Sequence, residues 1–111
     1  MRRTPLKTSG SDRTASHNVV FTALARAQFL ALVKSALYAR RRGETTRAMQ
    51  QVGQLLAHSP RTIGNSLYDL RAAKLQVYSL SHGSLYIEYG VHDSEQLVII
   101  RFVASFRGQV E

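Results

Sequence analysis

The sequence predicts an α+β fold of order β-α-α-β-β-β, a helical hairpin packed on a small twisted antiparallel sheet. Three observations carry this reading. From Lys74 to Arg107, apolar and polar residues alternate in three runs separated by two turn signals. Upstream, two stretches repeat apolar residues at spacings of three and four, the period of an amphipathic helix. A short β-type run, Asn18 to Thr22, precedes both.

The elements follow in order. Residues 1–17 read as a basic, disordered tail, because Arg2, Arg3, Lys7 and Arg13 are set among Thr, Ser and Gly with almost nothing to bury. Residues 18–111 form the domain. Asn18-Val19-Val20-Phe21-Thr22 is a short strand, and Thr22 is placed to cap the following helix. From Ala23 to about Arg42, the residues Ala25, Phe29, Leu32, Val33 and Ala36 form one helical stripe. Arg40, Arg41 and Arg42 complement the dipole at its C-terminus, and Gly43 is expected to break it.

Thr45 or Thr46 caps a second helix running to about His58, with Ala48, Met49, Val52, Leu55 and Leu56 on its buried side. Ser59-Pro60 ends it, since proline disfavours the α conformation in the residue before it. Ile63 to Ser66 reads as a turn, with Leu67 and Leu70 pinning the loop to the core. Then come three strands in a meander, turning at Ser81-His82-Gly83-Ser84 and at Asp93-Ser94-Glu95.

A strand sends alternate residues to opposite faces. In the middle strand Leu85, Ile87, Tyr89 and Val91 are expected against the helices, with Tyr86, Glu88 and His92 on the other face. In the last strand Val98, Ile100, Phe102 and Ala104 form one set, and Arg101, Ser105 and Arg107 belong to the other. The polar set is expected to continue the Tyr86/Glu88 face and to include Gln76 and Tyr78. Such a face carries tyrosines that stack on bases, arginines that pair with phosphate and a glutamate that moves protons. The plainer reading is the solvated side of an antiparallel sheet, with Glu88 and Arg101 in a cross-strand ion pair.

Composition narrows the function classes. The 111 residues make one domain, and folding buries roughly 65% of the surface of a chain of this size. Fifteen Lys+Arg against seven Asp+Glu give a net charge of +8, and removing the tail still leaves +5. That balance favours a polyanionic partner, nucleic acid or an acidic protein. No cysteine is present, which excludes disulfides and thiolate metal sites. The four histidines lack metal-ligand spacing, and no phosphate-cradling glycine loop or serine elbow occurs. No metal or cofactor is therefore expected. No apolar run approaches the ~20 residues of a membrane span, and no apolar h-region follows the N-terminal arginines. A cytoplasmic protein is expected.

Four segments resemble the RelE/ParE superfamily of bacterial toxins. Val19-Val20-Phe21-Thr22 with Ala25 and Phe29 resembles its opening strand and entry into the first helix. Leu56-Ala57-His58-Ser59-Pro60-Arg61 with Gly64 resembles the exit from the second helix. His82 to Tyr89 resembles the central strand, and Val98 to Val103 followed by Phe106-Arg107 resembles the closing strand. The resemblance spans roughly residues 18–107.

It implies the toxin of a type II toxin–antitoxin system, neutralised by a cognate antitoxin. Two activities go with it. RelE-like members cleave ribosome-bound mRNA without a metal, the ribose 2′-OH attacking the adjacent phosphate. ParE-like members bind DNA gyrase. Arg107 matches the closing-strand arginine that stabilises phosphate charge in the nucleases. Tyr86 stands where they carry a central-strand arginine, and their C-terminal tyrosine would fall beyond Glu111. The candidate catalytic set is Arg107, Tyr86 and Glu88; the candidate target-binding set is Arg101, Lys74, Arg71 and Tyr78. A non-catalytic basic RNA- or protein-binding module on the same scaffold is the other reading.

Overall fold

The computed structural model describes residues 16–38 and 42–105, with 36–38 and 42 described as backbone. Its elements are β1 (Asn18–Phe21), α1 (Ala23–Tyr38), α2 (Arg42–His58), β2 (Asn65–Leu70), a 3₁₀ turn (Arg71–Ala73), β3 (Leu75–His82), β4 (Leu85–His92) and β5 (Leu97–Ser105). The expected order is present, with one strand added between the second helix and the meander. The five strands form one sheet in the order β1-β5-β4-β3-β2. The sheet is mixed: β1 runs parallel to β5, and the other neighbours are antiparallel. The parallel pair follows from the helical hairpin, which carries the chain across one sheet face between β1 and the meander.

Thr22 caps α1 as expected, its Oγ1 accepting the Ala25 N–H at 3.1 Å. The second helix differs at its start. It begins at Arg42, so Gly43 lies in its first turn and Thr45 and Thr46 lie inside it rather than capping it. Glu44 in that turn suits the positive end of the helix dipole. The expected tail meets the domain at His17, whose backbone N–H donates to the Ala57 carbonyl at 2.7 Å; residues 1–15, Arg40, Arg41 and Arg107 lie outside the described residues.

One apolar cluster joins the layers. Ala25, Met49, Val52 and Leu56 from the helices meet Leu85, Ile87, Tyr89 and Val91 of β4 and Val98, Ile100 and Val103 of β5. Leu55, expected on the buried side of α2, is exposed. Tyr89 anchors the cluster. Its ring stacks on Tyr78 at 5.5 Å and 11°, and its hydroxyl donates to the buried Pro60 carbonyl at 2.7 Å. Burial, and then the neighbouring Tyr78, raise the pKa of this phenol, which stays a donor.

The segment expected as a pinned loop is an edge strand. Asn65 to Leu70 pairs with β3, and Leu67 is 44% exposed rather than pinned. The run Asn-Ser-Leu-Tyr-Asp-Leu does not alternate cleanly because the ladder slips between Ser66 and Tyr68, making Leu67 a bulge.

Gly64 lies immediately before this strand. A Cβ there would meet the Tyr89 hydroxyl and come within 2.7 Å of the Ser79 carbonyl. Neither atom is a flexible chain end. Gly64→Ala is expected to destabilise the fold by about 1–3 kcal/mol, as overpacking does. A urea titration of both proteins checks this through the shift in midpoint.

Candidate functional site on the open sheet face

Residues directly opposite each other in a ladder share a face, so the register assigns every side chain. Leu85, Ile87, Tyr89 and Val91 face the helices, as expected. Tyr78 pairs with Tyr89, so it too faces the helices and is 8% exposed. Its expected place in a target-binding surface is thereby corrected: Tyr78 is a core residue. The hairpin turn sets this phase by pairing His82 with Leu85 across Gly83, whose φ is +61°. Gln76, opposite Val91, moves to the helix side with it.

A second correction comes from β5. Tyr89 pairs with Ile100 and Glu88 with Phe102, leaving Arg101 as a bulge residue. The bulge inverts the alternation. Val98, Ile100 and Val103 face the helices, while Phe102 and Ala104 fall opposite Glu88 and Tyr86 on the open face. The expected grouping of Phe102 and Ala104 with Ile100 therefore does not hold.

On the open face the Tyr86 hydroxyl donates to Glu88 Oε2 at 2.8 Å. That hydrogen bond, then burial, then the Glu88 charge raise the Tyr86 pKa, while a bond with Ser79 acts the other way. Tyr86 is thus a neutral donor at physiological pH. Its ring lies edge-on to Phe102, with centroids 6.1 Å apart.

Arg101 does not pair with Glu88. Its Nη1 donates to the hydroxyl of Tyr68 at 3.4 Å. Tyr68 is on β2 and Arg101 on β5, with β3 and β4 between them. The two side chains together span three strand spacings, about 14 Å. Small residues in the intervening row make this possible: Tyr68 pairs with Val77, and Val77 with Gly90. Val77 is 0% exposed on a face that the helices do not cover, and Leu75, also buried, packs over Gly90, the partner of Val77. Tyr68 also acts electrostatically on Tyr86, adding the smallest of the effects that raise its pKa.

Tyr68 and Phe102 were not among the sequence candidates. Tyr68 was hidden in a stretch without period, and Phe102 was assigned the wrong face because a bulge leaves no mark in the hydrophobic pattern. The remaining candidates lie elsewhere. Lys74 is exposed at the turn into β3 with φ 58°, and Arg71 is exposed in the preceding 3₁₀ turn. Leu75 pairs with His92 whereas Ser81 pairs with Tyr86. Lys74 and Arg71 therefore stand roughly 20 Å along the sheet from Tyr86. His82 is held by Gln51 at 2.8 Å, and His92 Nδ1 accepts the Ser94 and Glu95 N–H groups at 3.2 and 3.1 Å.

The scaffold has known counterparts. One similar structure is the RelBE2 toxin–antitoxin complex from Mycobacterium tuberculosis, with a TM-score of 0.59 and 22% identity over 86% of this chain and 97% of that one. Another is the archaeal RelE–RelB complex from Pyrococcus horikoshii, with a TM-score of 0.59 and 15% identity over 82% and 96% of the two chains. The chain has a RelE-like fold. No protein-family model and no curated protein matches the sequence.

A second surface lies on the helical side of this RelE-like fold. Phe21, Phe29, Leu30 and Met49, with Arg26, Thr46 and Gln50, line an open cleft of about 280 Å³. Beside it α1 exposes Leu24 and Leu30 at 59% and 53%. No described helix is long and apolar enough to cross a membrane.

The Tyr86–Glu88 pair has a spectroscopic signature. In Glu88→Gln the carboxylate that disfavours the phenolate is gone, so the Tyr86 pKa is expected to fall back toward that of an ordinary tyrosine. Ultraviolet titration of the wild type, Glu88→Gln and a Tyr86→Phe control resolves this. An unchanged tyrosinate curve in Glu88→Gln would contradict the assignment.

Proposed function

We propose that this chain is the toxin of a toxin–antitoxin pair and that it cleaves ribosome-bound mRNA on the open face of its sheet. The observation that carries the reading is the cluster there: a carboxylate, two phenols and a guanidinium on rigid strands of a chain whose net charge is +8. The likeness to toxins solved in complex with antitoxins supports the class and an antitoxin partner.

The chemistry fits RNA transesterification. Arg101 binds the scissile phosphate, which a guanidinium matches in shape and charge. Glu88 takes the proton of the ribose 2′-OH, and Tyr86 holds its carboxylate in place through the 2.8 Å hydrogen bond. The 2′-oxygen attacks phosphorus, the bond to the 5′-oxygen breaks, and a 2′,3′-cyclic phosphate and a 5′-hydroxyl result. Phe102 beside Glu88 offers a ring for a flanking base. Arg107 belongs to this proposal as a second phosphate ligand, and Lys74 and Arg71 as contacts for the RNA strand further along the sheet. The apolar cleft against α1, with Arg26 at its rim, is where an antitoxin segment carrying apolar anchors and carboxylates would dock.

Expression without the antitoxin is expected to arrest growth, with truncated mRNA ending in cyclic phosphate. In a translation reaction, Glu88→Gln and Arg101→Ala should each slow cleavage by about 10²-fold or more. Circular dichroism verifies that both variants keep the fold. Growth arrest with intact mRNA and gyrase recovered on the tagged protein would replace this reading with gyrase binding.

A further inference from the structure

We propose that Tyr68, on the edge strand β2, is the general acid of the cleavage reaction, donating its phenolic proton to the departing 5′-oxygen. This rests on the nuclease reading above. Transesterification needs two proton movements: one away from the 2′-OH and one onto a leaving alkoxide, which is a poor leaving group unless protonated.

Tyr86 is unsuited to the second task. Its proton is committed to Glu88 at 2.8 Å, and loss of that proton would set a phenolate beside a carboxylate. Tyr68 stands in the opposite situation. Its oxygen accepts from Arg101 at 3.4 Å, so its own O–H remains to donate, and it has no acceptor among the described residues. When the proton leaves, the phenolate is next to a guanidinium, which stabilises it. Tyr68 is 46% exposed and open to a substrate.

Placement agrees with the direction of the reaction. The backbone of Arg101 adjoins Phe102, the partner of Glu88, while its guanidinium reaches Tyr68. A phosphate on Arg101 thus has Glu88 toward one side and Tyr68 toward the other. Entering and leaving oxygens occupy opposite sides of phosphorus in an in-line displacement, so the base and acid are separated as the geometry demands. The balance closes without a further reagent. Glu88 gains the 2′ proton, Tyr68 gives one to the 5′-oxygen, and water returns each group to its starting state.

The test uses ribosome-bound mRNA carrying either oxygen or sulfur as the bridging 5′ atom at the cleaved phosphate, because a thiolate departs without protonation. Tyr68→Phe is expected to slow cleavage of the oxygen substrate by about 10²-fold or more and to cut the sulfur substrate at the wild-type rate. Equal slowing on both substrates would assign Tyr68 a structural or binding role and overturn the proposal, leaving the nuclease reading in place. Undiminished cleavage of the oxygen substrate by Tyr68→Phe would overturn it as well. Wild-type protein that cuts neither substrate would remove both readings.

Discussion

Tyr89 holds the two layers together, and the position of everything on the sheet depends on it. The ring is fully buried in the central antiparallel strand, and its hydroxyl reaches the Pro60 carbonyl just after α2. That bond satisfies a buried acceptor that would otherwise cost about 1–3 kcal/mol. It also fixes where the chain leaves the helical layer. Gly64, lacking a side chain, lets the chain pass directly over the same hydroxyl. The next residue starts β2, so the anchoring of Tyr89 decides where the edge strand lies and hence where Tyr68 stands.

The open face is held by polar bridges rather than by a second layer. A sheet covered on one side leaves apolar side chains such as Val77 toward water, a cost of roughly 1.5–3 kcal/mol for a side chain of this kind. Here Val77 is nonetheless fully buried, and on the same face the Arg101 guanidinium meets the Tyr68 hydroxyl. Glu88 takes the Tyr86 hydroxyl instead of Arg101. The positive and negative groups therefore remain separate within one cluster, where a neutralising salt bridge would have left neither for a substrate.

Much of the scaffold was readable from residue types. Thr22 announced a cap, Ser59-Pro60 a helix end, and Leu85-Ile87-Tyr89-Val91 a buried strand face, because each depends on local chemistry or a strict period. The errors share another origin. Tyr78 was misplaced because Leu75 and Val77, the apolar set of its strand, lie on the open face while Gln76 and Tyr78 face the helices. Phe102 was misplaced because Arg101 occupies a bulge, and β2 was missed because Leu67 occupies another. Bulges depend on the partner strand, which hydrophobic alternation within one strand does not describe. That Tyr86 and Glu88 share a face followed from i, i+2 spacing on a strand; their hydrogen bond, and the meeting of Tyr68 with Arg101, 33 residues apart, did not.

The bulge at Arg101 also bears on how a chain of this kind can change. Were the bulge flattened with Arg101 kept, strict alternation would bring Phe102 to the core phase and send Val103 outward, whereas deleting Arg101 itself would leave both on their present faces. Inserting one codon elsewhere in the strand would turn the later side chains over as well, unless a second bulge absorbed it. Functional groups on this sheet can therefore change sides by an event that leaves neighbouring residue types untouched. Two descendants could then agree letter by letter along the strand while presenting different chemistry to a substrate. For such a scaffold, the count of residues between landmarks carries as much inheritance as the residues themselves.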